Sequence, residues 1–128
     1  MNIKRSVDIE EEVRNALSGY LTAYVRPLPS NYSLPNILIK MAGGTTTNTI
    51  DAFTVSLEAR AEEDAEAYEY LRTAIGILEE QTAKQIGALR CVNVNSIGSW
   101  GVDPVRPDLS LATATVVIHA HRDEITIN

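Results

Sequence analysis

The segment KMAGGTTTNTIDAFTVSLEAR, residues Lys40–Arg60, decides the fold because its glycines allow two different structures. A Gly-Gly pair followed by hydroxyl residues suits a phosphate-binding loop only when a helix begins directly after it. Here apolar and polar residues alternate after the glycines, and this period of two predicts a strand with one buried face. The apolar members are Phe53, Val55, Leu57 and Ala59. We therefore interpret Gly43 and Gly44 as the turn of a projecting hairpin loop, residues 43–50.

Two helices are predicted in the sequence, one before and one after the two strands that this loop joins. The first begins at Asp8, where Glu11 three residues later completes a capping box, and ends at Arg26 because Pro27 follows. The second begins at the acidic run from Glu62 and has one apolar stripe at helical spacing. Its members are Ala65, Tyr68, Leu71, Ile75, Leu78, Thr82 and Ile86.

The remaining strands complete an α+β arrangement. Strands are expected at Asn36–Met41, Arg90–Ser96 and Thr113–Asp123, and the irregular connections are predicted at about residues 26–36, 43–50 and 97–112. The order is then α-β-β-α-β-β. It favours one domain, residues 1–128, with an antiparallel, possibly mixed, four-stranded sheet and both helices on one face.

Composition narrows the classes of function. The chain has 128 residues, with 11 basic and 17 acidic side chains and a formal net charge of −6, which disfavours nonspecific nucleic-acid binding. A single cysteine, Cys91, excludes an internal disulfide framework. There is no signal-peptide pattern and no apolar run long enough to span a bilayer, so we expect a soluble protein made in the cytoplasm with no membrane partner.

One spacing suits a metal site. His119, His121 and Asp123 occupy alternate positions of the last predicted strand, and His-x-His is a spacing that metal sites use. The opposite face of that strand is already apolar, so these side chains are expected on the outer face, as solvent-facing or interface residues. We predict no metal, no cofactor and no catalytic residue, because Cys91 has no activating base nearby in the sequence.

Four stretches carry a resemblance to a known family. They are VDIEEEVRNALSGYL (residues 7–21), PNILIKMAGG (35–44), IDAFTVSLEARAEEDAEAYEYL (50–71) and GSWGVDPVRPDLSLATATVVIHAHR (98–122). In this order they resemble the tail terminator, or tail completion, proteins of long-tailed bacteriophages and the related small neck proteins. One departure is the last strand, which in the family is often more basic near its end.

The resemblance implies a structural protein of the virion. Such subunits assemble into a ring, usually a hexamer, that caps the head-proximal end of the tail tube, stops its polymerisation and presents a surface to the head connector. The implied partners are other copies of the chain, the tail tube protein and the neck proteins, with DNA only as a strand passing through the lumen. No enzyme activity is expected. The alternatives are a head-tail connector subunit of the same fold and a ferredoxin-like domain that binds a small molecule.

The two long loops supply the candidate interface residues. Trp100 either fills the edge of its own core or anchors a subunit contact, since Trp and Arg are enriched at interface hot spots. Arg106, just before Pro107, is its companion. The full candidate set is Gly43, Gly44, Thr45, Thr46, Thr47, Asn48, Trp100, Asp103, Arg106 and Asp108.

Overall fold

The computed structural model describes residues 1–46 and 50–128, with the backbone alone at residues 99 and 100. Its helices and strands are β1 (Asn2–Arg5), α1 (Ile9–Leu17), β2 (Ala23–Val25), β3 (Asn36–Thr46), β4 (Ile50–Ala61), α2 (Asp64–Ala83), β5 (Leu89–Val102), β6 (Ser110–His121) and β7 (Asp123–Thr126). This composition is α+β. The order α-β-β-α-β-β omits three strands, β1, β2 and β7.

The main sheet has five strands in the order β2-β3-β4-β6-β5, not four. It is mixed, because β2 runs parallel to β3 whereas the other pairs are antiparallel. A separate two-stranded sheet joins β1 to β7. Both short strands lie outside the periodic segments, which is why the apolar pattern did not reveal them.

The first helix is shorter than predicted. Asp8 is its N-cap and accepts a hydrogen bond from the backbone N–H of Glu11 at 3.3 Å, which is the first half of the predicted capping box. The Glu11 carboxylate accepts a hydrogen bond from Arg14 at 2.7 Å. The helix ends at Leu17 instead of Arg26. The next residues, Ser18 and Gly19, are poor helix formers, and the β-favouring residues that follow form the edge strand β2 instead.

Both helices pack on the same face of the sheet. Apart from the buried Asp51 near the start of β4, the side chains that β4 and β6 direct toward them are apolar and buried, and the alternation predicted for both strands is confirmed. These side chains form one core with the buried residues of both helices. The core includes Val13, Leu17, Val55, Leu57, Leu71, Leu78, Val116 and Ile118. The second helix begins two residues later than predicted, and its buried stripe contains Ala67 and Ala74 in place of Ala65 and Tyr68. The helix ends at Ala83, so Ile86, also predicted in the stripe, lies beyond it and is exposed.

Two predicted loops are largely strand. β3 continues to Thr46 and β4 begins at Ile50, so the described part of the 43–50 segment is an extended ladder. β5 continues to Val102, which reduces the 97–112 loop to residues 103–109. Both segments are polar and contain glycine, which predicts irregular structure. Here they pair with a long neighbouring strand, and this pairing satisfies their backbone N–H and C=O groups. Residues 26–35 contain no helix or strand, as expected for that connection.

Candidate functional site

The glycines of β3 are part of a strand, not of a turn. Gly43 and Gly44 pair with Thr54 and Phe53 of β4, after an irregularity in register at residue 42. Gly43 has φ +132°, which favours glycine, and a Cβ on Gly44 would lie 2.5 Å from the carbonyl oxygen of Ala52. The pair therefore permits a β-bulge and a close strand-to-strand approach. The prediction that it forms a hairpin turn is wrong.

The structure describes two of the four other interface candidates near the hairpin. Thr45 and Thr46 lie in β3 on its exposed stretch, and the Thr46 hydroxyl accepts a hydrogen bond from Arg122 at 2.6 Å. Thr47 and Asn48 lie outside the described residues. Their role at an interface stays a prediction.

The sheet has long open edges on both sides. β5 is outermost on one side, runs for 14 residues, and exposes Val94, Ile97 and Val102. On the other side β2 pairs only as far as Ile39, so within the described residues no strand covers the outer side of β3 beyond that point. Unpaired strand edges are templates for pairing with another chain. The backbone of Trp100 lies in β5 opposite Ala112, and its side chain is not described.

The face of the sheet away from the helices is polar and half-buried. Thr54 and Ser56 of β4 and Thr113 and Thr115 of β6 lie on it. His119 also lies on this outer face, as the sequence predicted, and it is half-buried. We call this surface the open face.

The three metal-ligand candidates are not brought together. β6 ends at His121, and the chain then enters β7 at Asp123, which pairs with Arg5 of β1. Within residues 1–46 and 50–128, no three His, Cys, Asp or Glu side chains form a group that could hold a metal ion. The regular strand that would have aligned them is interrupted at Arg122.

A cleft of about 470 Å³ opens at one end of the open face. One wall is the proline connector, residues 26–35, and the other is the β5–β6 loop, residues 103–109; Leu38 and Arg60 form the floor. Two of the predicted interface residues, Asp103 and Arg106, line the cleft from this second wall. Asp108 lies in the same loop and pairs with Arg106, so the structure places the three residues close together.

Asp103 organises the β5–β6 loop. Its Oδ1 accepts hydrogen bonds from the backbone N–H groups of Val105 at 2.8 Å and Arg106 at 3.0 Å, which folds the start of the loop into a turn. Its backbone N–H donates to the Leu109 carbonyl at 3.1 Å, and the buried Leu109 side chain anchors the other end. The acidic residue at this position is thus required by the loop itself.

Four charged side chains form a network, and two of them, Arg60 and Asp103, line the cleft. The Arg60 Nε donates to Asp103 Oδ2 at 2.5 Å, and its Nη2 donates to Glu58 Oε1 at 3.1 Å. The Lys40 Nζ donates to the other oxygen of Glu58 at 2.9 Å. Arg60 and Asp103 are 6% and 4% exposed, so this is a buried ion pair. It links β3, β4 and the β5–β6 loop.

The hydrogen bonds to Asp103 outweigh its burial. Burial by itself would raise the pKa of this carboxyl, but the backbone N–H of Arg106, the Arg60 guanidinium and the backbone N–H of Val105 hold the pKa below its ordinary value of 3.8. At the rim, the exposed Asp108 carboxylate pairs with Arg106 at 2.7 Å. That contact lowers the pKa of Asp108 and raises the pKa of Arg106.

Asn36 and Arg60 each have one buried polar atom without a hydrogen-bond partner among the described residues. Asn36 and Arg60 lie opposite each other in the β3–β4 ladder. The Arg60 Nη1 and the Asn36 Oδ1 are both buried and make no hydrogen bond among the described residues. A buried donor or acceptor left in this way destabilises a fold by about 1–3 kcal/mol.

Sequence reasoning missed Arg60, Glu58, Lys40 and Tyr32 as members of this site. The available signal was the spacing of Glu58 and Arg60, which places two charged residues on the same face of an otherwise well-patterned strand. Nothing in the sequence indicated that the β5–β6 loop would fold over them.

Comparison with known proteins adds no family assignment. No protein-family model and no curated protein sequence matches the chain. No helix in the described part of the chain is both long and apolar enough to cross a bilayer.

Proposed function

We propose that this chain is a structural subunit of a bacteriophage tail, a tail terminator that forms a ring on the head-proximal end of the tail tube. The ring would stop polymerisation of the tube and present the surface that joins the head. Its partners would be other copies of the chain, the tail tube protein and the neck proteins, and DNA would only pass through the lumen. The subunit would have no enzymatic activity and would reside in the virion.

The observation that supports this proposal most is the pair of open sheet edges. β5 and the outer part of β3 lie on opposite sides of one subunit, and different surfaces that meet head to tail generate rings when the rotation closes. Exposed apolar side chains lie on both edges, Ile97 and Val102 on β5 and Met41 on β3. Strand pairing would satisfy backbone groups and burial of these side chains would add hydrophobic stabilisation.

The other functions considered from the sequence have less support. A small-molecule site usually offers several convergent polar groups, whereas two of the charged side chains that line the cleft, Arg60 and Asp103, are bonded to each other. A head-tail connector subunit of the same fold would use the same edges. It differs only in the partner that it meets.

The proposal is tested by solution mass across a concentration series, measured by light scattering. The expected result is a step from the 14.0 kDa monomer to one discrete closed oligomer, alone or after addition of tail tubes. Ile97→Lys should prevent this step because it places a charge on the β5 edge. Ile127→Lys is the matched control, since Ile127 is equally exposed but lies outside the main sheet. A monomer at every concentration, with and without tubes, contradicts the proposal.

A further inference from the structure

The cleft is not accounted for by ring closure, because its floor lies on a face of the sheet and not at an edge. We propose that it binds an extended polypeptide segment of a partner protein. An aliphatic side chain of that segment enters the apolar part of the cleft, and a backbone carbonyl of the segment accepts a hydrogen bond from the Arg60 guanidinium. This inference is independent of the proposed ring and goes beyond it.

The charge balance of the cleft selects a neutral ligand. Arg60 and Lys40 carry two positive charges, and Glu58 and Asp103 carry two negative charges in direct contact with them. At the rim, Arg106 is already paired with Asp108. An anionic ligand would bring a charge with no counterpart into a partly buried site, which is unfavourable. A peptide carbonyl brings an acceptor without a net charge.

One unpartnered atom of the cleft matches the acceptor of a peptide group. Arg60 lines the cleft, and its buried Nη1 is a donor without an acceptor among the described residues. Each non-proline peptide unit has one acceptor and one donor. The carbonyl oxygen of the segment supplies the acceptor that the Arg60 Nη1 lacks.

The remaining surface of the cleft suits an aliphatic side chain. Its volume of about 470 Å³ lies in the usual range of roughly 300–1,000 Å³ for ligand sites. Pro29 and Pro104 have no backbone N–H, so these positions present hydrocarbon without a donor. The apolar lining residues are Leu28, Pro29, Leu38, Pro104 and Val105.

The experiment is an NMR titration of the ¹⁵N-labelled full chain with acetyl-leucine N-methylamide, which carries one leucine side chain between two peptide groups. We expect saturable shifts of the backbone signals of Ser30, Leu38 and Val105, with a Kd of about 1 mM for a ligand of this size. Acetyl-leucine with a free carboxylate should bind about tenfold more weakly at pH 7. Tighter binding of the carboxylate, or no shift of these signals at roughly tenfold that Kd, overturns the proposal.

Two tyrosine variants give a matched control. Tyr32→Ala removes part of a cleft wall and should weaken binding about fivefold, whereas Tyr20→Ala removes a tyrosine that is 71% exposed elsewhere and should change nothing. Arg60→Lys retains the positive charge but removes the Nη1 donor, and about fivefold weaker binding is expected again. If Arg60→Lys does not fold, the tyrosine pair decides. Equal affinity in Tyr32→Ala and Tyr20→Ala contradicts the proposed site.

Discussion

The two faces of the main sheet differ in how their residues are held. On the helix-covered face, stability comes from buried apolar side chains that pack against α1 and α2. On the open face, most side chains are polar and half-buried, but at one end a buried ion pair joins Arg60 to Asp103. The face without covering helices therefore also has a buried region, and there a charged pair lies beside the buried apolar side chain of Leu38.

The largest expected effect of a substitution on the open face is at Arg60. Arg60→Met should lower the free energy of unfolding by about 3–5 kcal/mol, because it leaves the Asp103 carboxylate buried without its cation. Urea denaturation followed by circular dichroism measures this loss. The exposed Arg72→Met is the control and should leave the midpoint unchanged. If Arg60→Met lowers the free energy of unfolding no more than Arg72→Met does, the buried ion pair does not stabilise the fold.

Two adjacent residues of β4 point to opposite faces of the sheet. Leu57→Ala on the covered face should destabilise the chain by about 2–5 kcal/mol through lost burial and a cavity. Ser56→Ala on the open face should change stability by less than about 0.5 kcal/mol. The same denaturation measurement compares them. Similar losses at both positions would contradict the assignment of the two faces.

The pH dependence of stability tests the charge pairing separately. The folded-state pKa of Asp103 lies below its ordinary value of 3.8, so the ionised carboxylate stabilises the folded state at higher pH. This contribution is fully present above about pH 4 to 5 and is lost as the pH falls through the folded pKa. The difference in unfolding free energy between the wild type and Asp103→Asn should therefore shrink below pH 3.8. A constant difference from pH 7 to pH 2.5 would contradict the pairing.

The smallest expected effect is a gain, on the outer side of α2. Gly76 is exposed within the helix, and a Cβ there would meet no atom within 4 Å, so the close helix–sheet contact that would explain a glycine is absent. Gly76→Ala should raise the free energy of unfolding by about 0.5–1 kcal/mol. Gly44→Ala should instead lower the free energy of unfolding, because its Cβ would lie 2.5 Å from the Ala52 carbonyl oxygen. Thermal denaturation with shifts of opposite sign is the predicted result.

The covered face was predictable from sequence, and the cleft was not. The period-two alternation at Phe53–Ala59 and Ala114–Ala120 predicts which side chains are buried, because every second side chain of a strand points to the same face. The Arg60–Asp103 pair joins residues 43 positions apart, and no local period records such a contact. β1, β2 and β7 are only three or four residues long, so they contain too few positions for a pattern.

The same contrast between local pattern and long-range contact applies to the predicted site residues. Asp103, Arg106 and Asp108 were chosen as members of an irregular loop, and the structure shows that Asp103 instead fixes that loop and Arg106 pairs with Asp108. His119 and His121 were expected on the outer face and lie there, since strand alternation decides this. Their alignment with Asp123 failed because the strand ends at His121.

The most direct test of the tail-terminator proposal is the growth of tail tubes in the presence of the purified chain. Tubes assembled from the tail tube protein of the same phage are mixed with an excess of free tube subunits, with and without this chain, and their lengths are measured by electron microscopy. The chain is expected to form a ring at one end of each tube, and elongation should stop. Continued elongation with the chain present in excess would contradict the proposal.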